Sequence, residues 1–365
     1  MRAALLEESG KPLTIVDDID IADPGIGEVI VRVSHCGLCH SDVSQIDATY
    51  QPRVPVIVGH EAAGVVEAVG PGVTRVAPGD TVMLTPCPPC GQCYWCVRGE
   101  HSICVNSGAI ATGAFPDGGT RLSRRNEVVY RGVGMGAFSE FVIIQETGAI
   151  PVPPDTPLDI ACVIGCAVQT GVGAVLNTAK VEEGATVLVM GLGGIGMAIV
   201  QGARLAGASR IIVSDPVAAR RDAAAGFGAT DAVDPTTTDV TAEVMRLTRV
   251  GVDYAFDAAG RAALVETGLW ATRNGGLTVL VGAAPAEEVV TFPPVAMLMT
   301  EKKIAGTLLG SSNSTFEIPR LLALWRAGRL DLAGMVTARR PLHEINEAID
   351  DMHAGRGIRT VMQIA

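Results

Sequence analysis

Short apolar runs separated by turn residues fill the chain from Met1 to about Pro154. The Pro-Gly pairs at positions 24–25, 71–72 and 78–79 supply the turns. Runs of this length are typical of β-strands in a domain that is mainly β. The pattern predicts strands at residues 28–33, 62–69, 81–84 and 138–144.

The pattern changes between Ala167 and Leu308, where continuous apolar runs alternate with helical segments. This alternation predicts a parallel sheet flanked by helices. The predicted strands are residues 186–190, 210–214, 254–257 and 277–281. Two helices (318–327 and 342–353) and an apolar strand (360–364) follow, and this tail can return to the first domain.

Composition and charge narrow the functional class. A chain of 365 residues is long enough for two domains. The net charge of −11, without a cluster of Lys and Arg, argues against nucleic-acid binding. The first twelve residues carry charges at Arg2, Glu7, Glu8 and Lys11 and have no apolar core, so we expect neither a signal peptide nor an anchor, and a cytoplasmic protein.

Two uncharged stretches, residues 160–179 and 184–203, are long enough to cross a bilayer. Both are rich in Gly and Ala, and the second contains four closely spaced glycines. Such glycines are of no use in a membrane helix but suit a buried strand, a glycine turn and a buried helix. We therefore expect no membrane span.

The four glycines form the pattern Gly191-x-Gly193-Gly194-x-Gly196, with Ile195 inside it, directly after an apolar strand and at the start of a helix. In this context the pattern predicts a dinucleotide site, because it allows a tight turn, close approach of a pyrophosphate and helix–strand packing. The helix N-terminus then holds the phosphates.

Asp215 lies nineteen positions after Gly196, at the end of the next predicted strand. A carboxylate there accepts hydrogen bonds from the adenosine ribose and repels a 2′-phosphate, which predicts NAD rather than NADP. The alternative is that Asp215 is a helix N-cap before Pro216.

The nine cysteines are an odd number, clustered at short spacings, and point to metal-binding thiolates. Four of them have the ligand count and compactness of a closed structural zinc site: Cys90, Cys93, Cys96 and Cys104. Cys87 is a competing ligand. We prefer the later four because Pro88 and Pro89 stiffen the segment between Cys87 and Cys90.

A second, dispersed group contains Cys39, His60 with Glu61, and Cys166. Two thiolates and one imidazole with an open fourth position form a catalytic zinc site, of which alcohol dehydrogenase is the known example. Singly, Cys166 can be an inert core thiol and His60 can bond a backbone carbonyl. Their joint occurrence carries the prediction.

With these motifs in view, the chain resembles the zinc-containing medium-chain dehydrogenase/reductase family, and within it the alcohol dehydrogenases with two zincs. The Gly-His-Glu segment, the four cysteines, the Gly-Cys-x3-Thr-Gly run and the glycine fingerprint occur in the family's order. The resemblance implies an α/β protein with a GroES-like, mainly β catalytic domain (1–166 and 309–365) and a doubly wound Rossmann domain (167–308).

The resemblance also implies roles for individual residues. Cys39, His60 and Cys166 correspond to the catalytic zinc ligands, Asp42 orients His60, and Glu61 is a nearby carboxylate able to approach the metal. Arg220, which would lie beside the adenosine, can instead be a solvated surface group. The residues expected at the cofactor are His40 and Arg359 at the pyrophosphate, Thr170 near the nicotinamide, Arg220 and Val281.

Ser41 matches the hydroxyl that first accepts the alcohol proton in the family, because a hydroxyl both accepts and donates. The chain departs from many relatives at Ser44, where the proton relay often ends in a histidine. Serine does not titrate near neutral pH, so the proton leaves by water and the cofactor ribose or through another base.

Small residues at Pro86 and in the run 132–136 stand where relatives often place larger ones. We therefore expect an NAD-dependent zinc alcohol dehydrogenase that prefers bulky aromatic or medium-chain primary alcohols to ethanol. The alternatives are thiol-dependent formaldehyde oxidation, a nicotinoprotein that retains NAD, and a non-enzymatic zinc and nucleotide binder. The insertion at about 108–136 resembles that of dimeric members, which predicts a homodimer.

Overall fold

Residue contacts divide the computed structural model, which describes Met1–Ala365, into two units. The first unit contains Met1–Cys166, Asn313–Gly328 and Leu332–Ala365. The second contains Ala167–Ser312 and Arg329–Asp331.

The first segment of unit 1 is mainly β. Its strands are β1 Ala3–Leu6, β2 Thr14–Val16, β3 Asp20–Ile21, β4 Glu28–Leu38, β5 Val56–Ile57, β6 Glu61–Val69, β7 Thr81–Leu84, β8 Leu122–Arg124, β9 Glu127–Val128, β10 Tyr130–Arg131, β11 Phe141–Gln145 and β12 Ala149–Pro151. Its α-helices are α1 His40–Ile46, α2 Ala109–Thr112 and α3 Leu158–Ala161. Short 3₁₀ turns include Cys96–Arg98, Gly132–Gly134 and Cys162–Gly165.

Unit 2 alternates strands with helices. Its strands are β13 Thr186–Met190, β14 Arg210–Ser214, β15 Asp231–Val233, β16 Val252–Asp257, β17 Thr272–Leu280 and β18 Lys303–Gly306. Its helices are α4 Ala167–Gly173, which continues as the π-helix Ala174–Ala179, α5 Gly194–Leu205, α6 Ala218–Phe227, α7 Val240–Thr248, α8 Ala262–Ala271 and α9 Pro294–Thr300. The chain then returns to unit 1 with α10 Ser314–Arg326, β19 Val336–Pro341, α11 Ile345–His353 and β20 Arg359–Gln363.

The main sheet of unit 1 has the order β12-β7-β6-β4-β20-β19, and β11 also pairs with β4. Strand β4 is its centre because it pairs antiparallel with β6, β11 and β20. Apolar side chains of β4 pack in one core cluster with residues from α11 and β20, for example Ile345 and Met362. The C-terminal tail thus completes the sheet of the first segment.

Unit 2 contains a six-stranded parallel sheet of order β15-β14-β13-β16-β17-β18. Strand β13 pairs with β14 on one side and β16 on the other, so the strand order reverses beside it. In doubly wound sheets, ligands bind outside the carboxyl ends of the strands at this reversal. The side chains of Val187–Met190 are fully buried, as expected for a strand covered on both faces.

The predicted fold class is confirmed, and most predicted strands lie where expected. The predicted strand at 138–144 begins at Phe141 instead, because Phe138 donates its backbone N–H to Val58 O outside the sheet. Strand β17 begins at Thr272, five residues before the predicted start. In the tail, Leu342–Glu344 is a 3₁₀ turn that precedes α11.

No single helix has both the length and the apolar character needed to span a membrane. One broken pair, Leu158–Gly165 with Ala167–Ala179, meets those criteria by length and composition alone.

Candidate functional site

Four side chains from distant parts of unit 1 converge on one point. One ligand atom each from Cys39, His60, Glu61 and Cys166 lies within 4.8 Å of the others, and all four residues are buried. The pairing of β4 with β6 explains half of this arrangement. Gly37 is opposite Glu61, so the end of β4 and the start of β6 bring Cys39 beside His60. The turn Cys162–Gly165 then delivers Cys166.

Asp42 orients the imidazole of His60. His60 Nδ1 lies 2.8 Å from Asp42 Oδ1, and the side chains are 1% and 0% exposed. The same carboxylate accepts backbone N–H groups from Gly59 at 2.9 Å and Cys39 at 3.0 Å. A carboxylate only accepts hydrogen bonds, so Nδ1 carries the proton and the lone pair of Nε2 is free for a metal.

The ionisation of these groups suits a cation. Donation from the Cys166 thiol holds the pKa of Cys39 well below its usual value, although burial opposes this. Burial lowers the pKa of His60, but the charges of Asp42 and Cys39 and the hydrogen bonds to both together raise it well above its usual value. Without a metal these groups favour a thiolate beside an imidazolium, and a divalent cation bound here would displace the proton from His60 Nε2 while Nδ1 keeps its own. The donor set of two sulfurs and one imidazole fits zinc.

Glu61 reaches this group without a hydrogen bond of its own. Its side chain is fully buried, and neither carboxylate oxygen has a hydrogen-bond partner. Arg359 Nη2 lies 3.5 Å from Glu61 Oε1, while Arg359 Nη1 donates to Leu38 O at 2.7 Å. Burial raises the pKa of Glu61 to about 7, and the charge of Arg359 opposes that rise. A side chain at Gly37 would collide with Glu61 Oε2, so the glycine makes room for this carboxylate.

The second cysteine group lies in one loop of unit 1. The sulfurs of Cys90, Cys93, Cys96 and Cys104 lie within 4.8 Å of one another. Backbone N–H groups point at them: Cys90 donates to Cys104 Sγ and Cys93 donates to Cys90 Sγ, each at 3.3 Å. Such donors stabilise thiolates, and those of Cys96 and Val105 lower the pKa of Cys93 to about 6.

Cys87, the competing ligand, lies outside this group. Its side chain is buried, and burial raises its pKa to about 12. A thiol with that pKa stays protonated at neutral pH. The structure therefore brings together the later four cysteines, which form a closed set with the ligand count of structural zinc.

The three fingerprint glycines of unit 2 have different surroundings. Gly191 has φ +89°, and a Cβ there would lie 2.9 Å from Ala259 Cβ. A Cβ on Gly196 would collide with the carbonyl oxygen of Gly191. Around Gly193, by contrast, a Cβ would meet no atom within 4 Å. The backbone at Gly193 thus borders open space directly before α5. A pyrophosphate can approach the helix N-terminus there.

Asp215 directly follows β14 and is almost fully buried. Its carboxylate accepts the backbone N–H groups of Leu192 at 2.7 Å and Val217 at 2.8 Å, so it joins the glycine turn to the start of α6. The alternative role of Asp215 as a helix N-cap is wrong, since the N-cap of α6 is Val217.

Comparison with known proteins assigns both units. Residues 25–154 match the family model described as alcohol dehydrogenase GroES-like domain, and residues 194–324 match the one described as zinc-binding dehydrogenase. An S-(hydroxymethyl)glutathione dehydrogenase from Synechocystis is 38% identical over 99% of both chains. The chain belongs to the zinc-dependent alcohol dehydrogenases of the medium-chain dehydrogenase/reductase family. It is an NAD-dependent zinc oxidoreductase.

Solved structures of alcohol dehydrogenases share the fold of this enzyme. A zinc-binding-domain alcohol dehydrogenase protein from Burkholderia ambifaria has a TM-score of 0.94 and 35% identity, over 100% of this chain and 98% of that one. A benzyl alcohol dehydrogenase from Acinetobacter calcoaceticus also has a TM-score of 0.94, with 30% identity over 100% and 99% of the two chains.

The remaining predicted site residues of this dehydrogenase lie in both units. In unit 1, Ser41 Oγ is 3.9 Å from Cys39 Sγ, and the neighbouring His40 is exposed. In unit 2, Thr170 is buried in α4, Arg220 is half-buried in α6, and Val281 donates its N–H to Asp257 O. The roles of these residues at the cofactor stay predictions.

Two contacts of the dehydrogenase were missed from sequence. The ion pair of Arg359 with Glu61 joins residues almost 300 positions apart, and the pairing of β20 with β4 brings them together. Asn106 donates to Pro88 O at 2.8 Å and fixes the proline segment beside the four cysteines. The signal available for Asn106 was its position two residues after Cys104.

Proposed function

We propose that this enzyme oxidises bulky primary alcohols, aromatic or of medium chain length, with NAD as the hydride acceptor. The observation that carries the proposal is the group of Cys39, His60 and Cys166 beside the hydroxyl of Ser41. Zinc held by these three residues supplies a Lewis acid for the alcohol oxygen. The similarity to the Acinetobacter benzyl alcohol dehydrogenase supports the aromatic substrate class.

The protein residues have separate tasks in this reaction. Asp42 keeps the Nδ1 proton on His60 and so fixes the imidazole orientation. Ser41 Oγ accepts the proton of the substrate hydroxyl and passes it on. Ser44 is buried about one turn later on α1 and does not titrate near neutral pH, so a group other than this side chain would have to carry the proton to solvent. Gly193, Gly194 and Asp215 bind the dinucleotide.

Small residues beside α1 support a bulky substrate. The segment 132–136 alternates three glycines with Val133 and Met135, and it packs against α1 and against residues 57–59. Pro86 is likewise buried. The three glycines let this segment pack closely on its neighbours, and we assign Pro86 and this segment to the substrate wall because relatives often place aromatic or larger residues there.

Thiol-dependent formaldehyde oxidation is the second candidate, because the Synechocystis relative is named S-(hydroxymethyl)glutathione dehydrogenase. A glutathione adduct carries carboxylates, and proteins hold carboxylates with Arg or Lys. The insertion at about 108–136 contains four arginines, but none is free for a substrate: Arg121, Arg124 and Arg125 form ion pairs with carboxylates of the chain, and Arg131 is buried. This arrangement favours an uncharged alcohol.

A substrate panel tests the two candidates. Benzyl alcohol, octanol, ethanol, and formaldehyde with and without glutathione or mycothiol are assayed by NADH absorbance, with zinc measured in the same samples. We expect the highest kcat/KM for benzyl alcohol or octanol. Activity confined to formaldehyde with a thiol supports the second candidate, and a strong preference for ethanol rejects the bulky substrate. NAD retained through purification identifies a nicotinoprotein.

We also propose a cytoplasmic homodimer. Residues 289–299 expose five large apolar side chains next to β18, the edge strand of the parallel sheet: Val289, Phe292, Val295, Leu298 and Met299. An exposed apolar patch beside an open strand edge suits a second copy of the chain. Light scattering that gives the mass of one chain rejects the dimer.

We also propose that the chain forms two domains. Residues 1–166 with 309–365 form the catalytic domain, and residues 167–308 form the NAD-binding domain. The division of the chain into two units supports it, although residues 309–312 belong to unit 2, within which Asn177 donates to Gly310 O at 3.2 Å.

A further inference from the structure

The side-chain amide of Gln45 on α1 is buried, and its oxygen accepts no hydrogen bond. Gln45 is 8% exposed, and its Oε1 has no hydrogen-bond partner. Leaving a buried polar atom unpaired costs about 1–3 kcal/mol, so buried acceptors are almost always satisfied. A group that is absent from the protein chain therefore meets Gln45 Oε1 in the working enzyme.

Gln45 lies on the same side of α1 as Ser41. The two residues are four positions apart, which places their Cβ atoms roughly 5–6 Å from each other along one helix face. Asp42 is directed at His60, and Val43 and Ile46 pack in the core. The face that carries the reacting hydroxyl of Ser41 thus also carries the amide of Gln45.

Gly132 makes room for this amide. A Cβ at Gly132 would lie 2.7 Å from Gln45 Oε1 and 2.8 Å from Val58 Cα. Val58 lies two residues before His60, so the amide sits beside the segment that carries the imidazole ligand. A side chain at position 132 would have to displace Gln45 or the backbone.

We propose that Gln45 is a substrate-binding residue that hydrogen-bonds a second polar group of the alcohol. The inference rests on the proposed alcohol oxidation and names its substrate class more closely. An amide oxygen accepts O–H and N–H donors. The substrate therefore carries a second hydroxyl about one helical turn from the reacting one, as in a hydroxybenzyl alcohol or a diol of similar length.

The test compares matched substrates. Wild type, Gln45→Met and Gln45→Leu are assayed with 3- and 4-hydroxybenzyl alcohol and with 3- and 4-methylbenzyl alcohol, which have the same shape without the second hydroxyl. The readout is the ratio of kcat/KM for each hydroxyl–methyl pair. We expect a wild-type ratio of roughly tenfold for one pair, and a ratio near one in both variants. Gln51→Met, an exposed glutamine beyond α1, is the control and should keep the wild-type ratio.

Each result decides the inference. A wild-type ratio near one in both pairs, or a ratio retained in the Gln45 variants, overturns it and indicates that a buried water meets Oε1. Two Gln45 variants with different shapes guard against one that fails to fold, which circular dichroism reveals. If wild type oxidises none of the four alcohols, the proposed function fails, and the inference fails with it. Activity without discrimination removes only the role of Gln45.

Discussion

Asp42 Oδ1 lies 2.8 Å from His60 Nδ1, and the same carboxylate caps the start of α1 through the N–H of Cys39. One side chain therefore fixes the orientation of an imidazole and the position of the thiol next to it. Both contacts are fully buried, so solvent does not compete for either partner.

Asp42→Asn is expected to weaken zinc binding at the catalytic site about 10- to 100-fold, because the amide no longer enforces the Nδ1 proton of His60. Zinc retained after dialysis against graded chelator measures the effect. Asp47→Asn, an exposed residue at the end of α1, serves as the control. Equal zinc retention in the two variants would count against the orienting role.

Ser41→Ala is expected to lower kcat roughly 100-fold, since the first proton acceptor is lost. The content of zinc and the Kd for NAD should stay unchanged, because the only bond between the Ser41 hydroxyl and the ligand thiol is a long one, 3.9 Å from Cys39 Sγ to Ser41 Oγ. Stopped-flow NADH formation is the measurement. Unchanged turnover rejects the role.

Cys93→Ser should reduce the zinc content from two ions per chain to one and lower the thermal midpoint, because a closed four-thiolate site does not tolerate loss of a ligand. Cys87→Ser is the matched control. Its sulfur lies outside the cysteine group, so two ions should remain. A zinc loss in Cys87→Ser would show that the ligand set differs from the one described.

Two glycine variants separate binding from folding. Gly193→Ala should raise the Kd for NAD at least about tenfold with little change in stability, because the added methyl occupies only the open space before α5. Gly191→Ala should cost about 1–3 kcal/mol of folding free energy. Its φ is +89°, and the added Cβ would lie 2.9 Å from Ala259 Cβ. Calorimetric titration and urea unfolding measure the two quantities. If both variants changed the Kd for NAD and the unfolding free energy by the same amounts, the separate roles of Gly191 and Gly193 would be contradicted.

Wild type should use NAD with a kcat/KM far above that for NADP, because the carboxylate of Asp215 repels a 2′-phosphate. Asp215→Asn should bring the kcat/KM for NADP closer to that for NAD. Asp222→Asn, which changes an exposed residue of α6, should leave the ratio of the two kcat/KM values unchanged. The ratio of kcat/KM for the two cofactors is the readout. Equal efficiency of the wild type with both cofactors removes the prediction.

The metal-binding cysteines and the glycine turn were predictable from sequence because each depends on a short motif. The four cysteines lie within one loop, and the fingerprint glycines are separated by one or two residues. Local spacing determines such sites, so one chain suffices to find them. The same holds for strand β13, whose apolar run directly precedes the glycine turn and so indicates a buried strand.

Contacts set by strand register were not predictable. Arg359 reaches Glu61 because β20 pairs with β4, and neither motif specifies that register. Gln45 was overlooked for the same reason: its environment depends on Gly132, which belongs to a distant segment. The early start of β17 was missed because Gly275 and Gly276 interrupt the apolar pattern, although the backbone continues in the sheet.

The two cysteine-containing sites differ in how far apart their ligands lie along the chain. Cys39 and Cys166 are 127 positions apart, whereas Cys90 and Cys104 are only 14 apart. An unfolded chain keeps the compact ligands within reach of one ion, so part of that site's zinc affinity persists on unfolding, whereas the dispersed ligands meet only in the native state. By mass action, free zinc above the Kd of the dispersed site raises the unfolding free energy with each concentration increase. Zinc supply and resistance to denaturation are therefore coupled mainly through the ligands that surround the reaction.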